Sequence, residues 1–588
     1  MFCRWVYIIM DCKERILSNE YADGVIDFPI GQIIREGDDV CYIPLDERYS
    51  VAYLNRRLAS DLGTNGFQYG YIPKLYGLMQ TEGEELADGT IFDPSALVAA
   101  GIKQLQGAPL NLRGNGVIVA IIDTGIEYTN RAFLDENGES RILAVWDQTN
   151  QTGTPPLGFP FGSEYFRQDI NRALLSDNPL QLVPVRDPLR HGTIMAGIAA
   201  GSQVNGGSAY LGAAPEADIV VVKLKEAKEY LREYYFVPQG VPAFEESDIM
   251  LGIAYANSFA IEFRRPVVIC LGLGTNMGDH AGNSILGRYL SKVALQRNRA
   301  VVVCGGNEGI ANHHFTWDFH QATNEERVRD VEVRVGEGER GFLLEFWGNS
   351  PDTYNISVRS PGGETIPPIR LGVEQNDTYE FIFEDTVVSV ESTLVEGGAG
   401  VQFILFRFTS PTPGIWTFQV QRLSEVYNGR FHMWLPITEF MSGNTFFLEA
   451  SPDTTLTEPS NAGDVITVSN YNHINNSFYL ESGRGYSRTN VIKPDLVAPG
   501  VNVPTLYGNR TGSSLSAAMT AGGIAQFLQW AVVEGNSPLA DTGQIRNYLI
   551  KGAGRQVGIG YPNREWGFGT LNVYGVFESL SGNPVVNK

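Results

Sequence analysis

The chain has 588 residues, of which 43% are hydrophobic and 11% aromatic, so it can build a large core over roughly two or three folding units. Its 66 acidic residues outnumber the 44 basic ones and give a net charge of −22, which argues against nucleic acid or an anionic membrane as its partner. No apolar run in the sequence approaches the roughly 20 residues that are needed to cross a bilayer.

The first 80 residues mix short strand-like runs with one helical stretch over residues 51–62, which predicts a small α+β unit. The apolar N-terminus lacks the basic start and the long apolar core of a signal peptide, so we expect synthesis in the cytoplasm. An acidic, glycine-containing stretch over residues 82–89 predicts an exposed linker. The five cysteines are odd in number and too sparse for a disulfide framework, which predicts reduced thiols.

A different pattern begins at Gly116, where a continuous apolar run leads to Asp123. Such a run is typical of a parallel strand that is buried on both faces. Similar runs alternate with helical patterns, and they lie at residues 218–224, 267–271, 300–304 and 465–469. The alternation predicts a doubly wound parallel α/β sheet, in which functional groups gather at the carboxyl ends of the strands.

Residues 318–450 interrupt this pattern with short, aromatic, partly alternating runs, which are separated by turn signals such as Ser360-Pro361-Gly362-Gly363. These features predict an all-β sandwich that is inserted into the α/β domain. The predicted organisation is therefore an N-terminal domain over 1–80, an α/β domain in two parts over 81–317 and 451–588, and the insert over 318–450.

Three polar residues stand where a doubly wound domain would present reactive groups. Asp123 ends a buried strand, His191 opens a helical pattern of small residues, and Ser514 precedes a second such pattern. A serine before a helix is by itself most often a cap, and a lone histidine is most often structural. Together they supply a nucleophile, a base that takes its proton and a carboxylate that orients the base. Asn307, at another strand end, adds an amide that can donate to an oxyanion.

These residues lie in blocks that resemble the subtilisin-like serine proteases, whose triad follows the chain order Asp, His, Ser. The blocks are residues 119–126, His191-Gly192-Thr193 and Gly512-Ser513-Ser514. The resemblance implies a subtilisin-like fold in which Asp123 orients, His191 is the general base and then the acid, and Ser514 is the nucleophile.

The same resemblance assigns the surroundings of the triad. Asn307 would share the oxyanion hole with the backbone amide of Ser514. The strand that pairs with the substrate backbone would be formed by Leu271, Gly272, Leu273 and Gly274. Protein substrates are implied, with no cofactor and no metal ion.

A closer resemblance is to the clostridial germination-specific Csp subtilases. It rests on the β-rich insert, on residues 141–149 and on the block 514–518. Ser513, Ala518 and Met195 differ from the usual residues of the wider family, as expected of a divergent branch.

The Csp resemblance implies that the insert is a jelly roll and that residues 1–80 are a prodomain, an intramolecular chaperone that is bound in cis. The C-terminal strand of this prodomain, residues 76–80, would fill the active-site cleft, and the chain would be cut there between Gln80 and Thr81. The implied substrate is the zymogen of a spore cortex lytic enzyme, and the implied location is the spore.

Two other functions stay open at this point. A catalytically silent subtilase fold could serve as a sensor or scaffold in germination signalling, but the complete triad favours an enzyme. The aromatic-rich insert could bind peptidoglycan, although a packed sandwich core explains its aromatic residues at least as well. The adjacent His313 and His314 lack spaced cysteine or carboxylate partners, so loop packing is favoured over a metal site.

Overall fold

The computed structural model describes residues 12–29, 40–57, 69–79, 83, 93–205, 208–320, 327–369, 372 and 375–582. The described residues up to 79 form an N-terminal unit, and those that follow form an α/β domain with an inserted β-sandwich. Within these ranges no helix is both long enough and apolar enough to span a membrane. The predicted fold class, an α/β sheet domain with an inserted sandwich, is confirmed.

The N-terminal unit is a small antiparallel sheet with one short helix. Its elements are α1 (Lys13–Leu17), β1 (Tyr21–Ile26), β2 (Val40–Pro44), β3 (Ser50–Asn55) and the separate strand β4 (Leu75–Leu78). The helix predicted over residues 51–62 is wrong for 51–55, which lie in β3 between β1 and β2. Val51 and Tyr53 are buried there, where β-branched and aromatic side chains pack well. Residues 58–62 lie outside the described ranges.

The prediction of reduced thiols is wrong for one pair of cysteines. Cys12 and Cys41 form a disulfide, with their Cα atoms 5.6 Å apart. They are 29 positions apart in the sequence, and the fold of this unit brings Cys12, just before α1, within reach of Cys41 in β2. Cys270 and Cys304 are buried thiols.

The first part of the α/β domain supplies most of the main sheet. Its strands are β5 (Ile118–Asp123), β6 (Ile142–Asp147), β7 (Ser163–Phe166), β8 (Ser202–Asn205), β9 (Ser208–Leu211), β10 (Asp218–Lys223), β11 (Phe244–Glu245), β12 (Val267–Leu271), β13 (Leu273–Gly274) and β14 (Arg299–Cys304). Its helices are α2 (Ser95–Ala99), α3 (Arg167–Leu174), α4 (Pro179–Leu182), α5 (His191–Ala200), α6 (Glu229–Tyr234), α7 (Glu246–Glu262) and α8 (Ile285–Ala294).

The insert follows and consists of two antiparallel sheets. Its strands are β15 (His314–Asp318), β16 (Val328–Val335), β17 (Gly341–Gly348), β18 (Tyr354–Arg359), β19 (Thr365–Ile366), β20 (Gln375–Phe381), β21 (Thr386–Thr393), β22 (Phe403–Thr409), β23 (Gly414–Arg422), β24 (Arg430–Trp434) and β25 (Phe446–Phe447). One sheet has the order β15-β24-β17-β22-β21-β20, and the other has the order β19-β18-β23-β16-β25. Aromatic side chains such as Phe346, Phe406, Trp416 and Phe431 fill the core of the insert.

The chain then completes the α/β domain. The remaining elements are β26 (Ile466–Asn472), β27 (Ser477–Phe478), β28 (Leu496–Pro499), β29 (Val503–Thr505), β30 (Gly508–Arg510), α9 (Ser513–Leu528), α10 (Thr542–Gly552) and α11 (Val573–Leu580). The main sheet has the order β27-β26-β14-β12-β5-β10-β6-β7, with β28 beside β26. Its strands pair in parallel, except that β7 and β27 run antiparallel to β6 and β26.

Strand β5 lies near the centre of this sheet, and all of its residues are buried. Val119 and Ile121 belong to a core cluster shared with α5 and α9, whereas Ile118, Ala120 and Ile122 belong to one shared with α7 and α8. Burial on both faces explains the continuous apolar run. The packing of α5 and α9 against β5 also places the starts of both helices at the carboxyl end of this strand.

Candidate active site

Asp123, His191 and Ser514 lie together at the carboxyl end of the main sheet. Asp123 ends β5, His191 is the first residue of α5, and Ser514 lies in the first turn of α9. His191 Nδ1 is 2.7 Å from Asp123 Oδ1, and His191 Nε2 is 3.1 Å from Ser514 Oγ. All three residues are buried. The arrangement matches a nucleophile, a base and a carboxylate that orients the base.

The close approach of α5 to β5 depends on a residue without a side chain. A Cβ atom at Gly192 would lie 2.3 Å from the carbonyl oxygen of Gly125, just after β5. Thr124 supports the same contact, since its hydroxyl accepts a hydrogen bond from the Gly192 amide over 2.9 Å. The glycine after the histidine therefore lets the imidazole come within reach of Asp123.

Two opposing effects act on the pKa of His191. Burial favours the neutral imidazole and lowers the pKa, whereas the charge of Asp123 and the hydrogen bond to it favour the imidazolium. Burial is the largest single effect, but Asp123 and the charge of Asp187 together outweigh it, so the pKa of His191 is raised above its ordinary value. An imidazole held in this way is a better base toward the hydroxyl of Ser514.

Asn307 lies beyond the end of β14 and contacts the residue before Ser514. Its side-chain oxygen accepts a hydrogen bond from the Ser513 amide over 3.1 Å. The hydroxyl of Ser513 in turn accepts one from the Gly306 amide over 3.1 Å, so the serine at this divergent position ties the two loops together. Because the oxygen of Asn307 is held by Ser513, its amide nitrogen is the atom that can donate to an oxyanion at Ser514.

A segment of the N-terminal unit occupies the cleft beside the triad. We call residues 75–79, which contain β4, the arm. The arm lies between β11 and β13, with Leu78 opposite Leu273 and Gly77 opposite Gly274. Two further hydrogen bonds involve Met79, whose amide donates to the Gly272 carbonyl over 3.1 Å and whose carbonyl accepts from the Ser514 amide over 3.2 Å.

The arm contacts three of the four residues that were predicted to bind the substrate backbone. Gly272, Leu273 and Gly274 contact the arm, whereas Leu271 is the last residue of β12 in the main sheet. The predicted cleavage residues Gln80 and Thr81 lie outside the described residues. Met79 belongs to residues 76–80, which were expected to fill the cleft, but Gln80 rather than Met79 was predicted to precede the cut bond.

The pair of adjacent histidines has structural contacts. His313 Nδ1 is 2.8 Å from Glu308 Oε2, and His314 Nε2 is 3.0 Å from His432 Nδ1. His314 also stacks on Trp434, with their ring centroids 4.7 Å apart. In the described parts of the chain no group of three or more histidine, cysteine, aspartate or glutamate side chains is placed to hold a metal ion.

Comparison with known proteins agrees with this geometry. The model of the subtilase family, Peptidase_S8, matches residues 114–330 and 410–569, and the gap between these ranges falls within the insert. The solved structure of the CspB protease of Clostridium perfringens is similar to this one, with a TM-score of 0.73 and 30% sequence identity. The similarity covers 84% of this chain and 100% of that chain.

Two other solved structures are less similar to this one. A lanthipeptide protease has a TM-score of 0.38 at 14% identity, over 85% of this chain and 100% of its own. MycP1, a serine protease of the type VII (ESX-1) secretion system, has a TM-score of 0.36 at 13% identity, over 85% of this chain and 93% of its own. Among curated proteins no sequence matches the chain. From the family match and the likeness to CspB, the chain belongs to the subtilase family and is a subtilisin-like serine protease.

Proposed function

We propose that this protease first cuts its own chain at the arm and then hydrolyses other proteins, in both cases through an acyl-enzyme on Ser514. The observation that carries the proposal is the position of Met79, whose carbonyl oxygen accepts a hydrogen bond from the Ser514 amide. In acyl transfer, the carbonyl that is attacked is the one held by the oxyanion donors. The arm therefore lies in the cleft as a substrate would.

The chemistry needs only the residues already described. His191 Nε2 takes the hydroxyl proton as Ser514 Oγ attacks the carbonyl carbon. The Ser514 amide and the side-chain nitrogen of Asn307 stabilise the oxyanion that forms, and Asp123 stabilises the imidazolium. His191 then gives its proton to the leaving amine as the peptide bond breaks. Water, activated by His191, hydrolyses the ester and frees Ser514.

The contacts of Met79 favour a cut between Met79 and Gln80, one bond before the Gln80–Thr81 bond that the sequence analysis selects. The difference matters because it decides whether the side chain before the scissile bond is methionine or glutamine. The Gln80–Thr81 bond stays a prediction, and a single measurement separates the two bonds.

That measurement is the intact mass, under denaturing conditions, of the protein and of its Ser514→Ala variant. We expect two fragments from the parent and one full-length chain from the variant. Fragments that end at Met79 or at Gln80 differ by the mass of one glutamine residue. If both proteins remain full length and a fluorophosphonate probe fails to label Ser514, the fold serves as a silent sensor or scaffold instead.

We propose further that the cut prodomain stays bound in cis and that the substrate in trans is the zymogen of a spore cortex lytic enzyme. This part rests on the resemblance to the Csp subtilases, and it would place the protein in the spore. Incubation of the purified zymogen with the parent and with the Ser514→Ala variant tests the proposed substrate. A new zymogen N-terminus with the parent alone is expected, and an intact zymogen with both would contradict the proposed substrate.

A further inference from the structure

A second buried carboxylate lies beside the triad. Asp187, in the turn that leads into α5, is 1% exposed. Its Oδ1 accepts a hydrogen bond from the Thr124 hydroxyl over 2.7 Å, and its Oδ2 accepts two from Thr193, over 2.8 Å from the amide and 2.7 Å from the hydroxyl. Asp187 was not identified from the sequence, although its place just before the histidine block is a usable signal.

The direction of the hydrogen bonds in this network is fixed by backbone amides, which can only donate. The Gly192 amide donates to the Thr124 hydroxyl over 2.9 Å, and the Glu127 amide donates to the Thr193 hydroxyl over 3.0 Å. Each hydroxyl can therefore use its own hydrogen atom to donate a hydrogen bond to Asp187. Burial and the charge of Asp123 raise the pKa of Asp187, and the three hydrogen bonds lower it; the net result is a pKa above the ordinary value of the group.

The residues that converge on Asp187 are the chain neighbours of the triad. Thr124 follows Asp123 directly, and Gly192 and Thr193 follow His191 directly. Asp187 is thus the common acceptor for the end of β5 and the start of α5. The interaction is also electrostatic, since the charge of Asp187 acts to raise the pKa of His191.

We propose that Asp187 is a positioning residue of the triad, which holds the end of β5 and the start of α5 in register and adds a second negative charge behind the imidazolium. The inference rests on the proposed function in that His191 is taken as the base. It assigns Asp187 no contact with substrate.

The charge is tested without relying on activity. In a Ser514→Ala background, His191 is titrated by NMR of selectively labelled histidine, with and without Asp187→Asn. Loss of a nearby negative charge should lower the pKa of His191 by about one unit. The titration does not need a working nucleophile, so it can fail or succeed independently of the proposed function. An unchanged His191 titration would overturn the electrostatic part of the proposal.

The register is tested in the active protein with a matched pair at Thr193. Thr193→Val removes the hydroxyl that Asp187 holds, whereas Thr193→Ser keeps it. We expect the valine variant to cut the arm at least several-fold more slowly than the parent, and the serine variant to cut it at the parent rate. In the Ser514→Ala background, neither variant should lower the pKa of His191. Equal cutting by both variants would overturn the positional part, and this pair serves even if Asp187→Asn does not fold.

Discussion

In the proposed mechanism, the oxygen and the nitrogen of the Asn307 side-chain amide have different tasks. The oxygen accepts a hydrogen bond from Ser513, which fixes the orientation of the group. In the proposed mechanism the nitrogen donates to the oxyanion, beside the Ser514 amide that already holds the Met79 carbonyl. A donor that is oriented before the reaction stabilises the transition state without reorganisation.

Replacing Asn307 by leucine should therefore slow the cut of the arm by about 10²- to 10³-fold, since one such donor contributes roughly 3 to 4 kcal/mol in the transition state. The fraction of cut chain is followed by intact mass over time after purification. Asn137→Leu, at an exposed position, is the control and should be cut like the parent. Complete cutting of the Asn307 variant at the earliest time point would remove Asn307 from the oxyanion hole.

The residues that the sequence reveals are those in short motifs at fixed places in the fold. Asp123, His191 and Ser514 each stand where an apolar strand ends or a small-residue helix begins, so the local pattern points to them. Met79 and Asp187 differ because their partners are distant in the sequence or meet them only through a turn. The structure adds the contacts of Asp187, and it shows that Met79 is the residue of the arm whose carbonyl lies at the Ser514 amide.

The segment that leads into the arm contacts the insert as well as the protease domain. The hydroxyl of Tyr69, just before the arm, donates to buried Glu345 of β17, and the Tyr69 ring stacks on Phe403 of β22 with centroids 5.5 Å apart. Trp347 Nε1 donates to the same carboxylate over 2.9 Å. Within the same segment, the Lys74 amine donates to the Tyr69 carbonyl over 2.6 Å. The Lys74 backbone amide donates to Glu246 of α7, in the protease domain, over 3.0 Å.

Tyr69→Phe tests this contact because it removes only the hydroxyl and leaves one fewer donor for a buried carboxyl group. Such a loss costs about 1 to 3 kcal/mol. We expect a lower Tm and less of the cut N-terminal fragment in the main peak on gel filtration. Tyr427→Phe, on the exposed surface of the insert, is the matched control. If both variants retain the fragment equally, the insert does not help to hold the arm.

The N-terminal unit contains one strand, β3, that the local sequence pattern did not predict. The run over residues 51–62 gives a helical signal, but β3 forms because it can pair with β1 on one side and β2 on the other. Such pairing between distant segments overrides a local preference. The long apolar strands of the main sheet were predictable because burial on both faces leaves a signal in each strand by itself.

At the scale of the whole molecule, the N-terminal unit meets the protease domain through buried charges. Asp23 of β1 accepts from the Tyr230 hydroxyl over 2.9 Å and lies 2.8 Å from the Lys228 amine. Behind this pair, Lys225 lies 2.6 Å from Asp248 of α7 and 3.6 Å from Glu245 of β11. Tyr53 of β3 lies beside the same carboxylates, and its burial, followed by their charges, raises its pKa.

Burial dominates the titration of Asp23. Desolvation and the charge of Glu245 raise its pKa, Lys228 and Lys225 lower it, and the net result is a rise from 3.8 to about 6. The assembled protein therefore holds a proton between pH 3.8 and about 6 that the unfolded chain has lost. By linkage, this contribution to stability is fully present below pH 3.8 and is lost as the pH rises through about 6.

Asp23→Asn should flatten this pH dependence, because an amide at that position cannot take up the proton. In the uncut Ser514→Ala background, we expect the Tm of the parent relative to the Asp23→Asn variant to be higher at pH 4.5 than at pH 7.5. The difference corresponds to at most roughly 3 kcal/mol for a shift of this size. Asp177→Asn, at an exposed position, is the control and should follow the parent at both pH values. If Asp23→Asn also follows the parent at both values, the proton is not bound at Asp23. In that case the proton belongs to another carboxyl group of the cluster, such as Asp248, whose pKa is raised by burial to about 7.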